Sequence, residues 1–261
     1  MRTLKSLSIV VLALAISGCA WMTGPKDETA DWSAGQIYAA AKESLADRDY
    51  EDAIRYFEIL EARYPFGRFA QQAQLEVAYA YYKYDEPESA IAAADRFIKL
   101  HPRHPHVDYA YYLKGIVNFN RETGLMDRLL PRDASERDPT TTREAFFDFR
   151  ELVRRFPDSR YAEDAANRMH FLRNMLARHE INVAHYYMRR GAYVAAANRA
   201  KYVIAHYDSS SATPQALAVL ADAYERMGLT DLAHDANRVL SYNYPDYSPE
   251  PYRTETGWLP F

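Results

Sequence analysis

The sequence predicts an all-α chain, a solenoid of five helix pairs with an extended C-terminal tail. Three observations predict it. Alanine is followed twelve positions later by proline at Ala53 and Pro65, Ala90 and Pro102, Ala145 and Pro157, and Ala233 and Pro245. A fifth copy, Ala196, has Asp208 at that distance. Glycine is scarce, at nine residues, and the helix breakers are clustered rather than scattered, while alanine and tyrosine, at 22 residues, are abundant. Proline cannot continue a helix, so each spacing ends one helix at a fixed distance from a small residue.

The elements follow in order. Smaller residues lead most of the alanines by twelve: Ala41 before Ala53, Ala78 before Ala90, Ala184 before Ala196, Ala221 before Ala233. Tyr81, Tyr187 and Tyr224 come three after their leaders, where Ser44 and Asn118 depart; Phe57 and Phe149 come four after their alanines. The pattern resembles the tetratricopeptide repeat, which implies a right-handed superhelical solenoid. Two helices cross where only Gly or Ala lets the backbones approach, aromatic rings fill the space beside the crossing, and proline starts the turn onward. Repeats are expected at about 34–67, 71–104, 108–158, 177–210 and 214–247. One pair cannot bury its apolar face alone, so stacking supplies the core.

Two irregularities stand out. Gly115 leads Ala145 by thirty rather than twelve, which places an eighteen-residue insertion at about 123–140. Ser159 to Arg190 holds neither Gly nor Pro and is expected to form a helix of about twice the usual length. The predicted organisation is repeats one to three over 34–158, then the long helix and repeats four and five over 159–247. Residues 248–261, with Pro249, Pro251 and Pro260, are expected as an extended tail.

The N-terminus carries a second signal. Arg2 and Lys5 precede an apolar run from Leu7 to Ile16, the layout of a secretory signal and too short to span a bilayer. Cys19 is the single cysteine, so export would leave it without a disulfide partner within the chain. Ile16-Ser17-Gly18-Cys19 resembles the bacterial lipobox. That implies removal of 1–18, a diacylglycerol and an N-acyl lipid on Cys19, and a lipidated tether over 19–33. Ala20, in place of Asp, implies the outer membrane. Several acyl chains at roughly 0.8 kcal/mol per buried CH₂ make a durable anchor.

Net charge is −4, which argues against nucleic acid as a main partner. No glycine-rich phosphate loop, G-x-S-x-G or H-E-x-x-H occurs, so no catalytic residues are assigned and a binding role is favoured over an enzyme. His101, His104 and His106 lie close together, but Pro102 and Pro105 read as a turn between repeats, so no metal and no other cofactor is assigned.

Positions 2, 5, 9, 12 and 13 of each repeat's first helix line its concave face. Repeat one then presents Tyr38 and Lys42; repeat two presents Tyr79, Tyr82 and Lys83; repeat three presents Tyr112 and Phe119. These are the candidates for a peptide groove, since tyrosine offers apolar area with a hydroxyl at small entropy cost. Repeats four and five present a more charged face that includes Arg189 and Arg226.

The stretch ARYPFGRFAQQAQLEVAYAYYK, residues 62–83, is more specific than any repeat consensus. With DRFIKLHPRHPHVDY, RDPTTTREAFFDF and RRGAYVAAANR, it resembles the BamD (ComL-type) lipoprotein family of the outer-membrane barrel-assembly machine. The resemblance covers nearly all of the mature chain. It implies a non-catalytic lipoprotein subunit on the periplasmic face of the outer membrane. It implies binding to the POTRA domains of the barrel-forming subunit BamA, company with other lipoproteins of that machine, and receipt of unfolded β-barrel precursors at the N-terminal repeats. Carried over by position, Arg199 is the BamA-pairing arginine, with Arg189 and Arg226 beside it as candidates. The tail departs from the family pattern. The competing reading is a repeat lipoprotein that scaffolds peptidoglycan or secretion machinery.

Overall fold

The computed structural model describes residues 28–121 and 138–248. The expected signal peptide, Cys19, most of the expected insertion and the expected tail from residue 249 lie outside them. Among the described residues there are ten α-helices and no strand. The fold is all-α and of the tetratricopeptide type, built of paired antiparallel-type helices joined by short turns. No helix among the described residues is long and apolar enough to cross a membrane.

The chain divides into two compact units, the first ending at Ala70 and the second starting at Gln71. In the first unit, α1 (Ala34–Ala46) starts at Ser33, whose side chain and that of Gln36 cap each other's backbone N–H groups. This reciprocal arrangement satisfies two otherwise orphaned donors. Helix α2 (Tyr50–Arg63) starts at Asp49, which accepts from the Asp52 N–H at 3.2 Å. Ala41 and Ala53 are fully buried where α1 and α2 pack, with Ile37, Phe57 and Leu60 around them. The segment expected to be free tether up to residue 33 is docked from Thr29 onward. Arg63 donates to the Thr29 carbonyl, the Tyr64 hydroxyl donates to the Trp32 carbonyl at 2.8 Å, and Trp32 stacks on Tyr56.

Helix α3 (Arg68–Lys83) leads from the first unit into the second. There α4 (Pro87–Leu100), α5 (Val107–Asn120) and α6 (Thr140–Arg155) follow. Gly115 sits against Phe149, and a Cβ placed there would stand 2.5 Å from the ring. The small residue of the pattern is thus a steric requirement, and the close approach lets α5 and α6 enclose a fully buried phenylalanine. Helix α7 (Ala162–Arg189) is 28 residues long, twice the 14 of α8 (Tyr193–His206). It packs on α6 and also on α8 and α9 (Thr213–Arg226), and α10 (Thr230–Asn243) packs on α9. The core at this end is built from small side chains: Ala184, Ala196, Ala200, Ala216 and Ala223 are fully buried, alongside Val203.

The prolines of the pattern have a local cause. Behind each second helix from α4 on, an N–H three residues along closes a turn: His104 to His101, Ser159 to Phe156, Ser210 to Tyr207, Tyr247 to Tyr244. Pro102, Pro157 and Pro245 occupy the next-to-first position of these turns, where a φ near −65° is required. Asp208 takes that place in the fourth copy, and its carboxylate accepts from the Ser209 N–H at 2.9 Å. The turn needs the backbone angle rather than proline itself. The turn within a repeat is equally regular. Its second residue has positive φ in four copies: Arg48 at 65°, Asp85 at 64°, Gly191 at 72° and Gly228 at 73°.

Candidate functional site

Two surfaces of the second unit collect the residues picked out by the sequence. The first is an aromatic strip carried by α3 and α5, with side chains of α7 against it. The Lys83 ammonium lies 5.9 Å over the Tyr82 ring, and the Tyr79 ring is 6.3 Å from it. The Tyr82 hydroxyl accepts from Asn120 Nδ2 at 2.7 Å, which ties α3 to the end of α5. Beside Asn120, Phe119 packs edge-on to Phe149 and tilts against Phe171 of α7 at 5.9 Å. The Arg168 guanidinium lies 4.7 Å over the Phe119 ring. Its Nε donates to Asp164 at 2.6 Å, and the Tyr112 hydroxyl donates to the same carboxylate oxygen at 2.7 Å.

Tyr112 is thereby drawn into a helix interface. It stacks on Tyr161 at 4.7 Å, and burial together with the Asp164 carboxylate raises its hydroxyl above the usual phenol range. Asp164, despite its partial burial, is held below the usual carboxylate range by Arg168 and Tyr112. Tyr79, Tyr82, Lys83 and Phe119 therefore form the strip, and Tyr112 is taken up by Tyr161 and Asp164. Tyr38 and Lys42 belong to the first unit, where Tyr38 packs on Phe57 and Phe69.

Phe171 and Arg168 escaped sequence reasoning. Both lie in the first half of α7, which precedes the fourth repeat and has no position in the repeat register. The available signal was the spacing of four between Asp164 and Arg168, which puts an ion pair on one helix face, with Phe171 one turn further along it.

The second surface is cationic. From Ile181 to Tyr207 the chain contains no Asp or Glu, while Arg189, Arg190, Arg199 and Lys201 fall within it. Cations lie over aromatic rings along this stretch: Arg190 over Tyr186 at 5.4 Å, Lys201 over Tyr224 at 5.4 Å, Arg226 over Tyr193 at 5.7 Å. Arg189 is exposed at the end of α7. Arg226 also donates to Asp222 at 2.8 Å. Arg199 faces inward as well as outward, since its Nη1 donates to Glu180 Oε2 at 2.8 Å.

The histidine turn is a packing feature. His101 and His104 each lie 5.1 Å from the Phe97 ring, and His101 Nε2 meets Gln74 Oε1 at 2.7 Å. Burial, with His106 and His101 nearby, holds His104 below the usual imidazole range.

The chain matches the model of the YfiO outer membrane lipoprotein family over residues 30–239. It is similar to proteins named outer membrane protein assembly factor BamD. The one from Neisseria meningitidis serogroup A is 47% identical over 259 residues, which cover 98% of this chain and 96% of the relative. That from Neisseria gonorrhoeae is also 47% identical over 259 residues, with the same coverage. That from Vibrio cholerae is 34% identical over 239 residues, 92% of this chain and 98% of the relative.

Proposed function

We infer, from a chain that belongs to the YfiO family of outer membrane lipoproteins and is an outer-membrane protein assembly factor, that it does this work by binding. In this reading it is a non-catalytic subunit of the barrel-assembly machine, anchored to the outer membrane through a lipid on Cys19 and facing the periplasm. The acid-free stretch from Ile181 to Tyr207 docks an acidic surface of BamA, with Arg189, Arg199 and Arg226 at the contact. The aromatic strip of α3 and α5 receives extended segments of barrel precursors, and other lipoproteins of the machine share the assembly.

The observation that carries this reading is the strip itself. Tyr79 and Tyr82 lie side by side on α3, and Tyr82 is tied by Asn120 to the end of α5, next to Phe119, rather than swallowed by the core. Outer-membrane barrel strands alternate apolar and polar residues and bear aromatic girdles, so an unfolded strand offers rings to such a surface. Asparagine and tyrosine at the strip can also hydrogen-bond a strand's backbone.

Affinity purification of the full chain from solubilised outer membranes tests the reading. BamA is expected as the dominant partner, and peptidoglycan enzymes or secretion components in its place would replace it. Cys19→Ser in the precursor should abolish fatty-acid labelling; retained labelling would remove the anchor.

A further inference from the structure

We propose that the first half of α7 completes the receptor strip, with Phe171 selecting aromatic side chains of the bound strand and Arg168 fixing its register. This deepens the receptor reading above and rests on it. The occupant is an extended segment of an outer-membrane barrel precursor with aromatic residues at alternate positions and an acidic group beside them.

The geometry supports that occupant in three ways. Phe171 is 54% exposed although its ring packs against Phe119, so about half of it is open to solvent beside a packed aromatic cluster. The rings of the strip are spaced at 5.9 Å for Phe119 to Phe171 and 6.3 Å for Tyr79 to Tyr82. Alternate residues on one side of a strand are about 6.6 Å apart, close to both spacings, so two outward rings of a strand match either neighbouring pair of rings. Charge is complementary as well. Lys83 stands at the α3 end and Arg168 at the α7 end, where its Nε already donates to Asp164. Asp164 takes the Nε–H of a guanidinium that carries five donors, and this contact orients it over Phe119. A positioned guanidinium beside exposed ring faces suits a carboxylate next to an aromatic residue.

Phe171 lies outside the repeat register and half in solvent. Neither stacking of helix pairs nor core filling requires a phenylalanine there. Phe147 serves as a comparison: it is 45% exposed, with Arg150 4.6 Å over its ring, and it is not among the rings of the strip.

The experiment measures binding of a synthetic twelve-residue strand peptide, with phenylalanine at alternate positions and one glutamate, to the full-length protein and its variants. Phe171→Ser is expected to weaken binding about tenfold, Phe171→Tyr to restore it, and Phe147→Ser to leave it unchanged. Against a peptide with leucine in place of each phenylalanine, Phe171→Ser should lose little. Arg168→Gln should flatten the salt dependence of binding. If Tyr82→Ser weakens binding and Phe171→Ser does not, the inference is overturned and the receptor reading stands. If neither weakens it, or the wild type does not bind, both fall. Equal losses for the phenylalanine and leucine peptides would overturn the selectivity assigned to Phe171.

Discussion

Arg199 of α8 donates to Glu180 of α7 at 2.8 Å, and the two ends of this pair differ in their access to water. The Glu180 side chain is 9% exposed and the Arg199 side chain 46%. The arginine expected at a partner interface thus also neutralises a buried carboxylate at the joint between the long helix and the C-terminal helices. Any acidic partner group that engages Arg199 shares it with Glu180 or takes it away.

Arg199→Glu therefore sets two carboxylates against each other. We expect a loss of about 1–3 kcal/mol in urea unfolding, on the scale of an unsatisfied buried charged group partly reached by solvent. The exchanged pair Glu180→Arg with Arg199→Glu should recover much of that stability while reversing the charge presented outward. BamA capture by the exchanged variant then separates interface from fold. Capture equal to wild type would remove Arg199 from the interface, and an Arg199→Glu protein as stable as wild type would show that the pair contributes nothing.

Gly115→Ala is expected to destabilise the second unit. Its Cβ would meet the Phe149 ring at 2.5 Å, and overpacking of a tight core costs typically about 1–3 kcal/mol. The second variant Phe149→Leu should offset part of this loss, because it removes the ring's Cε1 and Cζ, two of the three atoms that clash. Additive losses in a denaturation cycle would show that the two sites are not coupled in this way.

Arg48→Gly should raise stability by about 1 kcal/mol. Arg48 holds a φ of 65° in the turn between α1 and α2, the place that Gly191 and Gly228 occupy in later copies. A residue with a Cβ is strained in this left-handed region by about 1–2 kcal/mol, partly offset by the greater freedom of glycine in the unfolded chain. A lower midpoint for the variant would mean that Arg48 makes contacts worth more than its strain.

Stability should fall as pH drops from 7 to 5. Burial holds both His104 and His185 below the ordinary imidazole value of 6.5. The unfolded chain therefore binds more protons than the folded one in acid. Their contribution is complete above the unfolded value and declines as pH falls through it. His104 adds a geometric reason, since its Nδ1 accepts the His106 N–H at 3.1 Å and protonation removes that acceptor. His104→Gln should flatten the dependence of the urea midpoint on pH. An unchanged slope in both His104→Gln and His185→Gln would refute the assignment.

Helix pairing was legible in the sequence because its causes are local or nearly so. A proline at the second position of a turn, alanine at a crossing and an aromatic ring beside it each act within one pair, so a fixed spacing records them. Ala53 and Ala196 are fully buried as that spacing implies, and Asp208 shows how a departure is accommodated. Tertiary structure alone decided which side chains reach the surface. The repeat register places both Tyr112 and Tyr82 on the concave face, yet Asp164 of α7 and Tyr161 just before it draw the first into an interface, while Asn120 holds the second in the strip. Arg199 reads as a surface cation until Glu180, nineteen residues earlier, is brought beneath it. Phe171 and Arg168 meet Phe119 of α5 because α7 begins a turn or more before the fourth repeat and its first half lies beside that ring. Repeat spacing reports what each pair buries. What neighbouring pairs leave uncovered depends on contacts between residues tens of positions apart, which no local pattern records.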